Sequence, residues 1–176
     1  MKFHETTING AWLIEIEPHA DERGYFARTW SVSEFAEHGL STEVTECSIS
    51  QNAKRGTLRG MHYQVAPHEE VKVVACIRGH IFDAIIDLRP DSPTYLNKFT
   101  TNLSLDDGRL LYVPAGVAHG FMTLEDDCVV QYQIGGAYAP NAARGVRWND
   151  PQFGIDWPLE PEVISERDVA YEDYSS

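Results

Sequence analysis

The chain is short of positive charge: 14 Lys and Arg stand against 27 Asp and Glu, a formal net charge of −13 over 176 residues. A field of that sign repels phosphate backbones and anionic bilayers, so neither nucleic acid nor a membrane surface is an expected partner. Any anionic small ligand would need a local cluster of basic side chains. Cysteine is scarce too. Cys47, Cys76 and Cys128 are odd in number, far apart and without a CxxC spacing, which indicates neither a disulfide framework nor a zinc knuckle. No run approaches the roughly 20 apolar residues that cross a bilayer. The opening MKFHETTING lacks the apolar stretch of a secretion signal, so a reducing, cytoplasmic setting is the expectation. Repeats and low-complexity linkers are missing as well. That leaves an expected single domain, residues 1–176, of ordinary globular composition with 43% hydrophobic and 23% charged residues.

What is present is a series of short β-like runs: AWLIEIE, VKVVACI, HIFDAIIDLR, TYLNKFTTNL, RLLYV and CVVQYQI. They are rich in Val, Ile, Tyr and Thr, and turn-formers such as ADERG, IRGH, LRPDSP, LDDG and VPAG separate them. Only SVSEFAEHGL reads as a helix in the first half, with Ser31 or Ser33 as N-cap and Gly39 as its stop. Strands without alternating helices predict an all-β sandwich or barrel of antiparallel strands. After Pro158 the chain turns acidic and polar, a short helix or a loosely held extension.

GRLLYVPAGVAHGF sets Gly108, Pro114, Gly116 and His119 at G-x5-P-x-G-x2-H. This resembles the second motif of the cupin superfamily, a small β-barrel or jelly-roll fold in which that histidine faces the interior. In metal-binding cupins a preceding H-x-H completes a ligand set. Here HYQVAPHEE supplies His62 and Gln64 instead, a poor set for zinc, iron or manganese, so no metal and no cofactor are expected.

A narrower likeness covers residues 10 to 168. DERGYF, GTLRGMHYQ, IIDLRPDSPTY, VPAGVAHGF, GVRWNDPQFGIDWP and ISERD occur in that order. Together they resemble the dTDP-4-dehydrorhamnose 3,5-epimerases, metal-free cupins that act on nucleotide-linked 4-keto-6-deoxy sugars. The resemblance implies a cytoplasmic homodimer in deoxysugar and polysaccharide biosynthesis, an N-terminal strand of each chain helping to build its neighbour's site. It implies His62 as the base that removes a proton acidified by the C4 ketone. Imidazole suits that task because its ordinary pKa lies near working pH. It further implies Tyr132 as proton donor on the opposite face, Lys72 as the cation that steadies the enolate oxygen, and Asp168 as the carboxylate that orients His62. His119 would help hold the sugar. Arg59 would clamp the diphosphate with its two-pronged guanidinium, Arg23 would contact it from a second position, and Tyr138 would stack on the base or line the pocket.

Three positions depart from the dTDP-specific pattern: Arg28 and Ala143 stand where glutamates are usual, and Cys47 where a glutamine contacts the nucleotide. The pair of glycines in QIGGAY is also unusual. These changes fall on binding positions and leave the proton-transfer set whole, so the expected partner is a nucleotide-diphosphate sugar whose base and inverted centre are open. The competing expectations are a nucleotide-sugar 3,4-ketoisomerase and a metal-dependent cupin oxygenase or isomerase on the same barrel.

Overall fold

The computed structural model describes residues 1–174. Two six-membered groups of strands face each other. In the first the spatial order is β1 (Lys2–Glu5), β2 (Trp12–Glu15), β10 (Arg109–Val113), β7 (Val71–Arg78), β12 (Cys128–Gly135) and β5 (Glu46–Asn52). In the second, β13 (Ala143–Gly145), β6 (Thr57–Gln64), β11 (Val117–Thr123), β8 (His80–Asp87) and β9 (Lys98–Ser104) follow one another, and β14 (Val163–Ile164) joins β6 in parallel. A small hairpin of β3 (His19–Asp21) and β4 (Gly24–Phe26) stands apart, and its strand residues are all exposed. The only helices among the described residues are α1 (Val32–Glu37) and α2 (Glu166–Val169). This is the all-β, cupin-type barrel that the strand runs predict, and among the described residues no helix is long and apolar enough to cross a membrane.

The central strands are apolar along their whole length because both their faces are covered. One alternation of side chains fills the barrel interior, where Val74, Ile85, Leu111, Val117, Phe121 and Val130 interlock. On the far side of the first sheet, Phe35 of α1 seals Ile14, Val73 and Tyr112. On the far side of the second, the segment around Phe153 and Trp157 covers Met61, Ala84, Ile86 and Ala118. Burial of each such side chain contributes about 1.5–3 kcal/mol. Trp148 and Trp157 are packing residues here: the Trp157 indole donates to the Trp148 carbonyl at 2.8 Å and meets Phe82 edge-on at 5.5 Å.

Local chemistry departs from the sequence expectation in three places. The run TYLNKFTTNL becomes strand only at Lys98. The buried Asp87 carboxylate accepts from the hydroxyls of Ser92 and Thr94 and from the Arg89 guanidinium, which curls residues 89–97 into turns. These donors hold the Asp87 carboxyl at about 2, against the opposing effect of burial. Ser31 does occupy the N-cap of α1, yet its hydroxyl meets Ser33 at 3.0 Å and makes no capping bond. The tail, finally, is docked: β14 and α2 lie against β6, and Asp168 is buried.

Candidate active site

The site begins with a close approach of two glycines. Gly60 of β6 has φ of +143°, and a side chain there would strike the Gly120 backbone of β11. Without side chains the two strands come together over a bulge, and His62 and His119 become directly opposed neighbours. Both rings turn toward the barrel interior, and each meets a different carboxylate.

His62 is 2.7 Å from Asp168 through Nε2, although the two lie 106 positions apart in the chain. Three features set this carboxylate in place. Parallel pairing of β14 with β6 brings the tail alongside, Ser165 caps α2 by accepting from the Asp168 N–H at 3.1 Å, and the Gly60 N–H donates to Oδ2 at 3.3 Å. Burial pushes the Asp168 carboxyl up, but the hydrogen bond and charge of His62 and the Gly60 and Ser165 donors outweigh it and hold it below its ordinary value. Ionised, it accepts from Nε2–H, which leaves the neutral ring its lone pair on Nδ1. The His62 side chain is 40% exposed, against 4% for Asp168. The pair therefore presents an accessible base over a fixed carboxylate. Tyr171 flanks the imidazole edge-on at 6.1 Å, and Arg167 sits 5.8 Å over the tyrosine ring.

His119 is buried, with Nε2 at 3.1 and 2.9 Å from the two oxygens of Asp83 on the adjacent β8. Burial drives the Asp83 carboxyl upward, opposed by His119. Across the barrel, Tyr132 projects from β12, its ring 5.9 Å from His119 at 77°. Burial first, and the Asp83 charge second, push its phenol up, so Tyr132 keeps its proton at neutral pH. On β7, Lys72 Nζ is 3.0 Å from Glu70 Oε1 and 3.5 Å from the His62 carbonyl. Arg59, exposed at the β6 margin, donates from Nε to Asn52 at 2.8 Å. The barrel thus gathers His62, His119, Tyr132 and Lys72 from its strands and Asp168 from α2, with Arg59 at the rim.

The remaining binding candidates stay outside this interior. Arg23 sits on the exposed hairpin, ion-paired with Asp21. Arg28 pairs with Glu34 at 3.2 Å. Cys47 opposes Gln133 on the edge strand and is exposed, facing away from the side that carries Tyr132. Tyr138 is 56% exposed on the loop after β12. Among the described residues no group of three or more His, Cys, Asp or Glu side chains is placed to hold a metal ion. Two acidic members escaped the sequence reading, Asp83 and Glu70. Asp83 carried a signal: it interrupts HIFDAIID at the alternation shared with Ile81 and Ile85, and a carboxylate on a buried strand face needs a partner.

A two-sheet barrel with an accessible imidazole on one sheet, paired with a carboxylate from α2, and a protonated phenol on the other has the groups that a cupin-type isomerase working by proton transfer needs. Comparison with known proteins makes this specific. The family model described as dTDP-4-dehydrorhamnose 3,5-epimerase matches residues 5–176. The enzyme of that name from Methanothermobacter thermautotrophicus is 42% identical over 170 residues, covering 95% of this chain and 91% of the relative. A crystal structure of the Bacillus anthracis enzyme with TDP and PPi bound superposes with a TM-score of 0.95 at 34% identity, covering 98% and 99% of the two chains. A 3′-monoepimerase from Streptomyces bikiniensis in complex with dTDP-quinovose gives 0.89 at 31% identity, covering 97% and 86%. The chain belongs to the dTDP-4-dehydrorhamnose 3,5-epimerase family and is an epimerase.

Proposed function

We propose that the chain inverts C3, C5 or both of a dTDP-linked 4-keto-6-deoxyhexose, with His62 as base and Tyr132 as acid. The observation that carries this is the placement of the two groups on opposing sheets, with His62 fixed at 2.7 Å from Asp168 and Tyr132 held protonated by burial. The C4 ketone acidifies the neighbouring C–H bonds. Nδ1 of His62 takes a proton from one face, Asp168 stabilises the imidazolium, and negative charge moves onto the C4 oxygen. Lys72 steadies that oxygen, and one such donor is worth about 3–4 kcal/mol in the transition state. Tyr132 returns a proton from the other face, which inverts the centre. His119, fixed by Asp83, holds the sugar.

Arg59 binds the diphosphate at the rim. The TDP-bound Bacillus anthracis relative supports a thymidine nucleotide as its carrier. Arg23, Arg28 and Cys47 contribute across a homodimer. The hairpin that carries Arg23 projects with Tyr25 54% and Phe26 74% exposed, the form of an arm that docks on a second chain. The free cysteines and acidic surface suit action in the cytoplasm, where sugar nucleotides are built.

Incubation with dTDP-4-keto-6-deoxyglucose in D₂O, read by NMR, tests the reaction. Deuterium at C3, C5 or both with the ketone still at C4 is expected. A 3-keto product, or no exchange, would contradict it.

A further inference from the structure

Glu70 precedes β7 by one residue, and its carboxylate lies inside the wall that presents Lys72. Oε1 is 3.0 Å from Lys72 Nζ, and the two side chains are only 10% and 11% exposed. Oε2 accepts from Gln64 Nε2 at 3.1 Å. Gln64, itself buried, shares the two hydrogens of that NH₂ between Glu70 and the carbonyls of His68 at 2.8 Å and Ala137 at 3.3 Å, and its Oε1 accepts from the Ala139 N–H at 2.7 Å. That last bond fixes the orientation of the Gln64 amide, with NH₂ toward residue 70. Glu70 therefore meets a donor at each oxygen. An amide at this position would satisfy one of them and set its own NH₂ against the other. Only a carboxylate fits both ends.

We propose that Glu70 is a positioning residue for the epimerisation: it fixes the Lys72 ammonium where the C4 oxygen gains charge, and ties that lysine through Gln64 to the loop that carries Tyr138. The inference rests on Lys72 acting in the reaction as described above. Glu70 does not touch the sugar in this arrangement. It acts through Lys72, by holding a long, flexible side chain in one of its many rotamers and by balancing a buried charge.

A double-mutant cycle separates this from a merely structural role. Wild type, E70Q, K72M and E70Q/K72M are compared in kcat and KM for the sugar nucleotide, with thermal melts as a check on folding. E70Q is expected to lower kcat about tenfold with a smaller change in KM, and to cost less than about twofold once Lys72 is already Met. The same loss on both backgrounds, or an unchanged kcat in E70Q, would overturn the proposal. An unaltered kcat in K72M would sink the role of Lys72 itself, and that of Glu70 with it. Should E70Q fail to fold while E70Q/K72M folds, E70D, which keeps the charge on a shorter arm, takes its place in the cycle and must lower kcat only where Lys72 is present. Failure of both to fold would assign Glu70 to the scaffold and end the proposal.

Discussion

Two histidine–aspartate pairs sit side by side in this barrel, built from the same residue types and opposed across one register position, and their surroundings differ. His62 is 40% exposed and its carboxylate arrives from the C-terminal helix, held down in pKa by three donors. His119 is 4% exposed, and its carboxylate, fully buried on the neighbouring strand, is driven up by desolvation. An imidazole becomes a base when an ionised carboxylate orients one nitrogen and leaves the other open to a ligand. The same imidazole enclosed with a buried carboxylate is a fixed polar group, suited to holding a ligand in place and poorly suited to exchanging its proton. Environment separates the two pairs, and residue identity does not.

The largest contrast is expected in stability. His119→Leu strands Asp83 without a partner and should cost about 3–5 kcal/mol in urea unfolding, whereas His62→Ala on the open side should cost less than about 1 kcal/mol. Equal losses would erase the distinction. Next comes Asp168→Asn, which removes the carboxylate behind His62. A fall of about 10² in kcat with only a small drop in melting temperature is expected, less than the roughly 10⁴ lost in a serine-protease triad when the same change leaves the histidine in the wrong tautomer.

The smallest effect concerns pH. The depressed Asp168 carboxyl contributes stability that is complete above its ordinary value of 3.8 and is lost as pH falls through its lower folded value. The raised Asp83 carboxyl contributes in the opposite sense: its share is complete below 3.8 and is lost as pH rises through its folded value. In unfolding free energies measured down the acid limb, the deficit of Asp168→Asn relative to wild type should therefore shrink while that of Asp83→Asn grows. Parallel deficits would show that the two carboxylates share one environment.

Much of the barrel was legible in the sequence because its central strands announce themselves as Val- and Ile-rich runs between turn residues. β1, the β3–β4 hairpin, β5, β13 and β14 were not among those runs, since short or exposed strands carry little hydrophobic pattern and gain their pairing from distant segments. Neither were β6 and β11, whose glycines and histidines interrupt the apolar alternation. The same divide runs through the site. His62, His119 and Arg59 lie in compact motifs, and resemblance was enough to single out Tyr132, Lys72 and Asp168. Asp83 and Glu70 acquire meaning only from what surrounds them: His119 across the strand, and Lys72 with Gln64 beyond a turn. The alternation of HIFDAIID flags Asp83 as a buried carboxylate, but the partners of both residues are tertiary, and no periodicity names them. Gly145 is a further case. It opposes His62 in register, and the Tyr171 ring fills the space its side chain would occupy, which nothing near residue 145 foretells.

The most direct test of a base on one wall and an acid on the other is a single-turnover comparison in D₂O of His62→Asn with Tyr132→Phe, following exchange and inversion separately. Loss of both processes in His62→Asn, by about 10²–10⁴, together with retained exchange but lost inversion in Tyr132→Phe, is the predicted result. Wild-type exchange in His62→Asn, or normal inversion without the phenol, would contradict it.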